Sequence, residues 1–116
     1  MRIGELAKRS GLTTSRIRFY EDEGLLPKAH RGGNGYRDYP ERAVARLHLI
    51  RDSQALGFSL SEIKFGLGQA GDADMPSRSD ILEALRCKLE DLDAQAAVVA
   101  MRRRKVEHLI DEFRGC

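Results

Sequence analysis

Tryptophan is absent from this 116-residue chain, aromatic residues make up only 6%, and there are two cysteines and three prolines. So few aromatic rings argue against a pocket built around a large flat ligand. Cys87 and Cys116 form neither a CxxC pair nor a disulfide framework, so free thiols are expected. No apolar run approaches the roughly 20 residues that a membrane-spanning helix needs, so no membrane partner is expected. No leader precedes the first patterned segment, since Met1-Arg2-Ile3-Gly4-Glu5 runs straight into it, and a cytoplasmic location is expected. Catalytic constellations are missing too. His30, His48 and His108 are scattered, and the Gly-rich stretch 32–35 precedes no strand–helix unit. With no nucleophile–base pair, metal cluster or phosphate loop, an enzyme is not expected.

What is present is charge. Charged residues make up 33% of the chain and hydrophobic residues 41%, at a net charge of +2. That balance and length suit one small domain. The charge is unevenly spread. Residues 1–50 carry ten Lys/Arg against six Asp/Glu, and residues 51–116 carry ten against twelve. The basic excess therefore lies in the first half, where a nucleic-acid-binding element is expected.

Ile3, Leu6 and Ala7 recur at helical spacing over 3–10, and Gly11 stops the pattern. Thr13 is a natural N-cap for a second helix, with Ile17 and either Phe19 or Tyr20 turned inward, ending at Gly24-Leu25-Leu26-Pro27. Two short helices joined by a tight glycine turn are the signature of a helix-turn-helix. Asn34-Gly35 then predicts a hairpin with a type I′ turn, flanked by Arg31, Tyr36, Arg37 and Tyr39, which reads as a DNA-binding wing. Pro40 is expected at the first position of a third helix, with Val44, Leu47 and Ile50 inward and Gly57 at its end. Ser59-Leu60-Ser61-Glu62 is a capping box, with Phe58 and Ile63 placed as a hydrophobic staple, opening a fourth helix through about Leu67.

The last segment has the clearest period. Leu82, Leu85, Leu89, Leu92, Ala96, Val99, Arg103, Val106, Ile110 and Phe113 alternate spacings of three and four, a heptad seam with one polar interruption at Arg103. So long a seam cannot be buried within so small a protein, and a second copy is the simplest partner; packing on the protein's own helices is the alternative. The expected organisation is a DNA-binding region at 1–70, a linker at 71–78 and a dimerisation helix at 79–116.

Ile3-Gly4-Glu5-Leu6-Ala7, Gly11-Leu12-Thr13, Ile17-Arg18-Phe19-Tyr20-Glu21 and Gly24-Leu25-Leu26, taken in order, resemble the mercury-resistance regulator (MerR) family. Asn34-Gly35-Tyr36-Arg37-Asp38-Tyr39 is similar to its wing, and Leu56-Gly57-Phe58-Ser59-Leu60-Ser61-Glu62-Ile63 to the turn into its fourth helix. The resemblance covers essentially the whole chain. It implies a mainly α fold: a winged helix-turn-helix with a short β-hairpin wing, then a helical pair and a long antiparallel coiled-coil dimerisation helix. It also implies a homodimer on double-stranded promoter DNA whose spacer is too long, with effector binding distorting the DNA so that RNA polymerase can use the promoter.

Thr14, Ser15, Arg16 and Arg18 fall on the first turns of the second helix, where a recognition helix meets the major groove. Tyr20 is either a phosphate contact or a core-edge aromatic. Arg31, Asn34, Gly35, Tyr36 and Arg37 make the wing, where phosphate contacts would set register and affinity rather than sequence. The run Arg102-Arg103-Arg104-Lys105 reads as a solvated face, or as pairing across a dimer with Glu90, Asp91 or Asp93. A metal ion is the cofactor class that the resemblance suggests, and Cys116 falls where the family's first metal-loop cysteine is expected. A lone thiolate makes no two-thiolate soft-metal site, so three effector readings stay open: a metal bound with residues beyond Cys116, thiol oxidation, or none. An architectural or excisionase-like winged-helix protein is the competing class.

Overall fold

The computed structural model describes residues 1–26, 29–33, 35–68 and 75–115. In chain order the elements are α1 (Ile3–Ser10), α2 (Thr14–Asp22), β1 (His30–Arg31), β2 (Arg37–Asp38), α3 (Arg42–Ala55), α4 (Leu60–Gly68) and α5 (Arg78–Arg114). They divide into two compact units, Met1–Ser77 and a second beginning at Arg78. No helix among the described residues is long and apolar enough to cross a membrane.

Local chemistry places the helix ends of the first unit. Gly11 at φ 76° donates to the Ala7 carbonyl and closes α1. The Thr13 hydroxyl accepts the Arg16 amide at 3.1 Å, so α2 starts where its cap dictates. At the end of α2, Gly24 takes φ 80°, while its amide reaches Glu21 O and the Leu25 amide reaches Tyr20 O. That pair of bonds is a Schellman motif, and it needs the left-handed residue that glycine supplies most cheaply. The same pair recurs after α3, with Gly57 bonded to Gln54 O and Phe58 to Ser53 O. The capping box forms reciprocally: Ser59 N donates to Glu62 Oε1 at 2.9 Å, and Glu62 N donates to Ser59 Oγ at 3.1 Å.

These ends aim four helices and the wing at one core. Leu6, Ile17, Tyr20, Leu25, Leu26, Tyr39, Ala43, Leu47, Ile50, Ile63 and Leu67 are buried in it, with Phe58 packed against it. Each fully buried Leu or Ile contributes about 1.5–3 kcal/mol. Buried Arg46 lies across this core and donates from Nε to Leu25 O at 2.9 Å, satisfying a carbonyl of the loop after α2.

Three local expectations are corrected. Pro40 stands ahead of α3, which begins at Arg42; its carbonyl accepts the Ala43 amide and so closes a tight preliminary turn. Ala43 is buried, and Val44 is only partly so. In the wing, Arg31 faces Arg37 and His30 faces Asp38, but the closing turn bond runs from Gly35 N to Gly32 O, with Gly32 N bonded to Tyr36 O. Gly35, at φ 81°, therefore follows the turn as a bulge residue rather than sitting at its centre. Asn34 lies outside the described residues.

The second unit is one unbroken helix of 37 residues, none of them buried. At 1.5 Å per residue it spans roughly 55 Å. Its seam is open to solvent in the protomer: Leu92 is 41% exposed, Leu89 61% and Phe113 82%.

Candidate nucleic-acid interface

Helix α2 has two faces. Ile17, Tyr20 and Glu21 are buried, whereas Ser15, Arg16 and Arg18 are exposed and Thr14 is half-buried. The recognition-helix residues read from the sequence thus share the outward side. Tyr20 does not. It is 2% exposed, its hydroxyl donates to Gln54 Oε1, and it belongs to the core. A phosphate contact by Tyr20 is therefore withdrawn in favour of its core-edge reading. The Arg16 guanidinium lies 5.7 Å from the Phe19 ring centre and 5.6 Å from that of Tyr20, so it is steered along the helix surface by two ring faces.

Arg18 projects toward the wing. It shares an open groove of about 990 Å³ with Arg2 and Gly4 at the start of α1 and with Gly35, Tyr36 and Arg37 of the wing. Tyr36 is 57% exposed, and the Arg2 guanidinium stacks 4.2 Å from its ring centre. Arg31 is exposed on the outer strand of the hairpin. The groove therefore joins three guanidinium groups, from three separate chain segments, to one aromatic edge. That is suitable chemistry for a phosphodiester backbone. Arg2 escaped the sequence reading. The available signal was local: a cation at the amino end of a helix opposes the helix dipole, a cost that calls for a reason.

Arg37 is turned differently from the expectation. Its Nη1 lies 3.5 Å from Glu21 Oε1, and Tyr39 Oη donates to Glu21 Oε2 at 2.6 Å. Glu21 and Tyr39 are buried at 5% and 1% exposure. A hydrogen bond to Tyr39 and the charge of Glu21 hold the Arg37 guanidinium above its ordinary range. Burial, then the bond to Glu21, pushes the Tyr39 phenol up. Arg37 thus secures the wing to α2 while its side chain, 36% exposed, stays on the groove. Replacing Glu21 with alanine would leave the buried Tyr39 hydroxyl without its acceptor, at a cost of about 1–3 kcal/mol. Urea unfolding should register that loss, and Glu21→Gln, which keeps an acceptor, should recover most of it. Equal stability of Glu21→Ala and the parent would show that the cluster contributes nothing.

The described residues contain no group of three His, Cys, Asp or Glu arranged to hold a metal ion. Cys87 is exposed and donates to Glu83 Oε1 at 3.8 Å. Cys116 lies outside the described residues.

Residues 1–65 match the model of the MerR HTH family of regulatory proteins, and residues 44–112 match that of the MerR DNA-binding family. The chain is 40% identical over 115 residues to the HTH-type transcriptional regulator HmrR of Rhizobium leguminosarum bv. viciae, covering 99% of this chain and 88% of that protein. Its fold is similar to that of the transcription regulator PbrR691 from Ralstonia metallidurans CH34 in complex with lead(II), at a TM-score of 0.70 and 32% identity over 100% of this chain and 88% of the other. It is also similar to HiNmlR, a MerR family regulator lacking the sensor domain and bound to promoter DNA, at a TM-score of 0.62 and 25% identity, covering 85% and 74% of the two chains. These relatives are regulators, which favours that class over an excisionase-like architectural protein.

Proposed function

The chain belongs to the MerR family of helix-turn-helix regulators, a DNA-binding transcriptional regulator and not an enzyme, and from that premise we propose that it acts as a homodimer on promoter DNA and answers to a soft metal ion. The observation that carries the dimer is the solvent-open heptad seam of α5, in which no residue is buried. An apolar stripe of this length exposed to water is costly until a second copy covers it. Two copies would set two grips on one duplex: Ser15, Arg16 and Arg18 toward the major groove, and Arg2, Arg31 and Tyr36 toward the backbone. The grips would deform an over-long promoter spacer so that RNA polymerase can engage both of its elements.

The metal reading rests on the lead-bound relative and on Cys116. The donors among the described residues do not fit such an ion, because Cys87 has only Glu83 at hand. The reduced protein should therefore be titrated with Hg(II), Pb(II) and Cu(I) alongside Cys116→Ser and Cys87→Ser. Stoichiometric binding that is lost in Cys116→Ser and kept in Cys87→Ser is expected. Unchanged binding in Cys116→Ser would remove Cys116 from the site, and no binding in the parent would remove the metal reading and leave DNA binding untouched.

A further inference from the structure

We propose that Arg103, set within the seam of α5, fixes the two helices of the dimer in a single antiparallel register, in which it lies beside the partner's Asp93. The inference rests on the dimer reading above and on the antiparallel orientation that the family resemblance implies, and adds the alignment and the specificity-determining residue.

The seam is apolar except at Arg103. In the protomer, Val99, Arg102, Arg103 and Val106 line a shallow concavity of about 380 Å³ together with Glu107. Four residues at i, i+3, i+4 and i+7 form the kind of hole that accepts one knob from a facing helix. The choice of helix orientation decides what Arg103 meets.

In a parallel, in-register pair each seam residue faces its own copy, so Arg103 would face the partner's Arg103 in an apolar layer. Flanking charges do not exclude that arrangement. Lys88 would meet the partner's Asp93, and Arg102 the partner's Glu107. The seam excludes it, because two guanidinium groups forced together without a counter-charge cost more than exposed flanking pairs return.

Antiparallel pairing separates them. If the two-fold axis passes between Ala97 and Val98, all ten seam positions find a partner: Ala96 faces the partner's Val99, Leu89 the partner's Val106, and Leu92 fills the hole around the partner's Arg103. The two Arg103 side chains then stand eleven residues apart along the axis, roughly 16 Å, beyond the screening length of about 8–10 Å. In this alignment Arg103 lies on the seam flank occupied by the partner's Asp93, and on the same flank Arg86 meets the partner's Glu107.

Sliding one heptad in either direction loses this. One shift brings Arg103 within about 6 Å axially of the partner's Arg103 and beside the partner's Ala100. The other sets it beside the partner's Arg86 and leaves Ile110 and Phe113 uncovered. Of these three registers, only the first gives the buried cation an acid.

Disulfide trapping in the full chain, with Cys87→Ser and Cys116→Ser as background, tests this. Leu89→Cys and Val106→Cys together should give a cross-linked dimer under mild oxidation, and neither alone should. Charge exchange gives a second reading. Arg103→Glu and Asp93→Arg should each weaken dimerisation roughly tenfold or more, and the double exchange should restore most of the loss. Arg103→Leu should tighten the dimer yet let Leu89→Cys cross-link to itself, because the bar on parallel pairing is gone. Cross-linking of Leu89→Cys alone with Arg103 in place would overturn the orientation. A dimer that the double-cysteine variant fails to trap, or whose charge exchange shows no recovery, would overturn the register. A monomeric parent in sedimentation would instead overturn the dimer reading itself.

Discussion

Arg18→Ala is expected to remove most operator affinity while leaving the dimer intact. Arg18 is exposed on the outward side of α2, at the mouth of the groove that it shares with Arg2 and Tyr36. Truncating it takes no atom from the core, so folding should be unaffected. A lost arginine contact to DNA costs about 1–3 kcal/mol, and a dimer loses two. Together that is about 2–6 kcal/mol, or roughly 30-fold to more than 10⁴-fold in Kd. Fluorescence anisotropy on the operator and on a scrambled duplex, with sedimentation to follow the dimer, checks both halves. Full-affinity binding by the variant would remove Arg18 from the DNA-facing set. An equal loss on both duplexes would assign it to the backbone and leave base reading to Ser15 and Arg16.

Leu89→Asp is expected to abolish the dimer and operator binding with it. Leu89 is 61% exposed in the protomer, so the protomer should tolerate the change. In the proposed dimer the same position becomes an apolar layer flanked by the partner's Glu107, and two unpaired carboxylates would have to be buried. At about 3–5 kcal/mol for each uncompensated charge, the dimer constant should worsen by 10⁴-fold or more. Sedimentation should show a monomer whose first unit unfolds much as in the parent, while half-site binding falls to background. A stable dimer in Leu89→Asp would mean that the seam packs elsewhere.

Much of this architecture could be read from residues alone because it is governed by neighbours in sequence. Thr13, Gly24, Gly57 and the Ser59–Glu62 pair each act within a few positions of themselves, and each does what its chemistry dictates. The heptads of α5 are legible for the same reason. What residues alone left open or unseen involves partners distant along the chain. Tyr20 has the same helical phase whether it grips phosphate or fills the core; Gln54, 34 residues away, binds its hydroxyl. Arg37 shows its tie to α2 only when Glu21 and Tyr39 are brought beside it. Arg2 becomes part of the candidate interface only when the hairpin folds back over α1 and offers it the Tyr36 ring. The wing turn shows a narrower failure. Asn34-Gly35 signals a hairpin correctly, but the neighbouring Gly32-Gly33 lets the chain close one residue earlier.

The cluster of Glu21, Arg37 and Tyr39 bears on how force would pass through the protein. It binds hairpin and reading helix through a buried carboxylate, so one cannot yield without exposing that charge. A joint of this kind behaves as a bracket rather than a hinge. Torque arriving at either part would be passed to the other rather than lost between them.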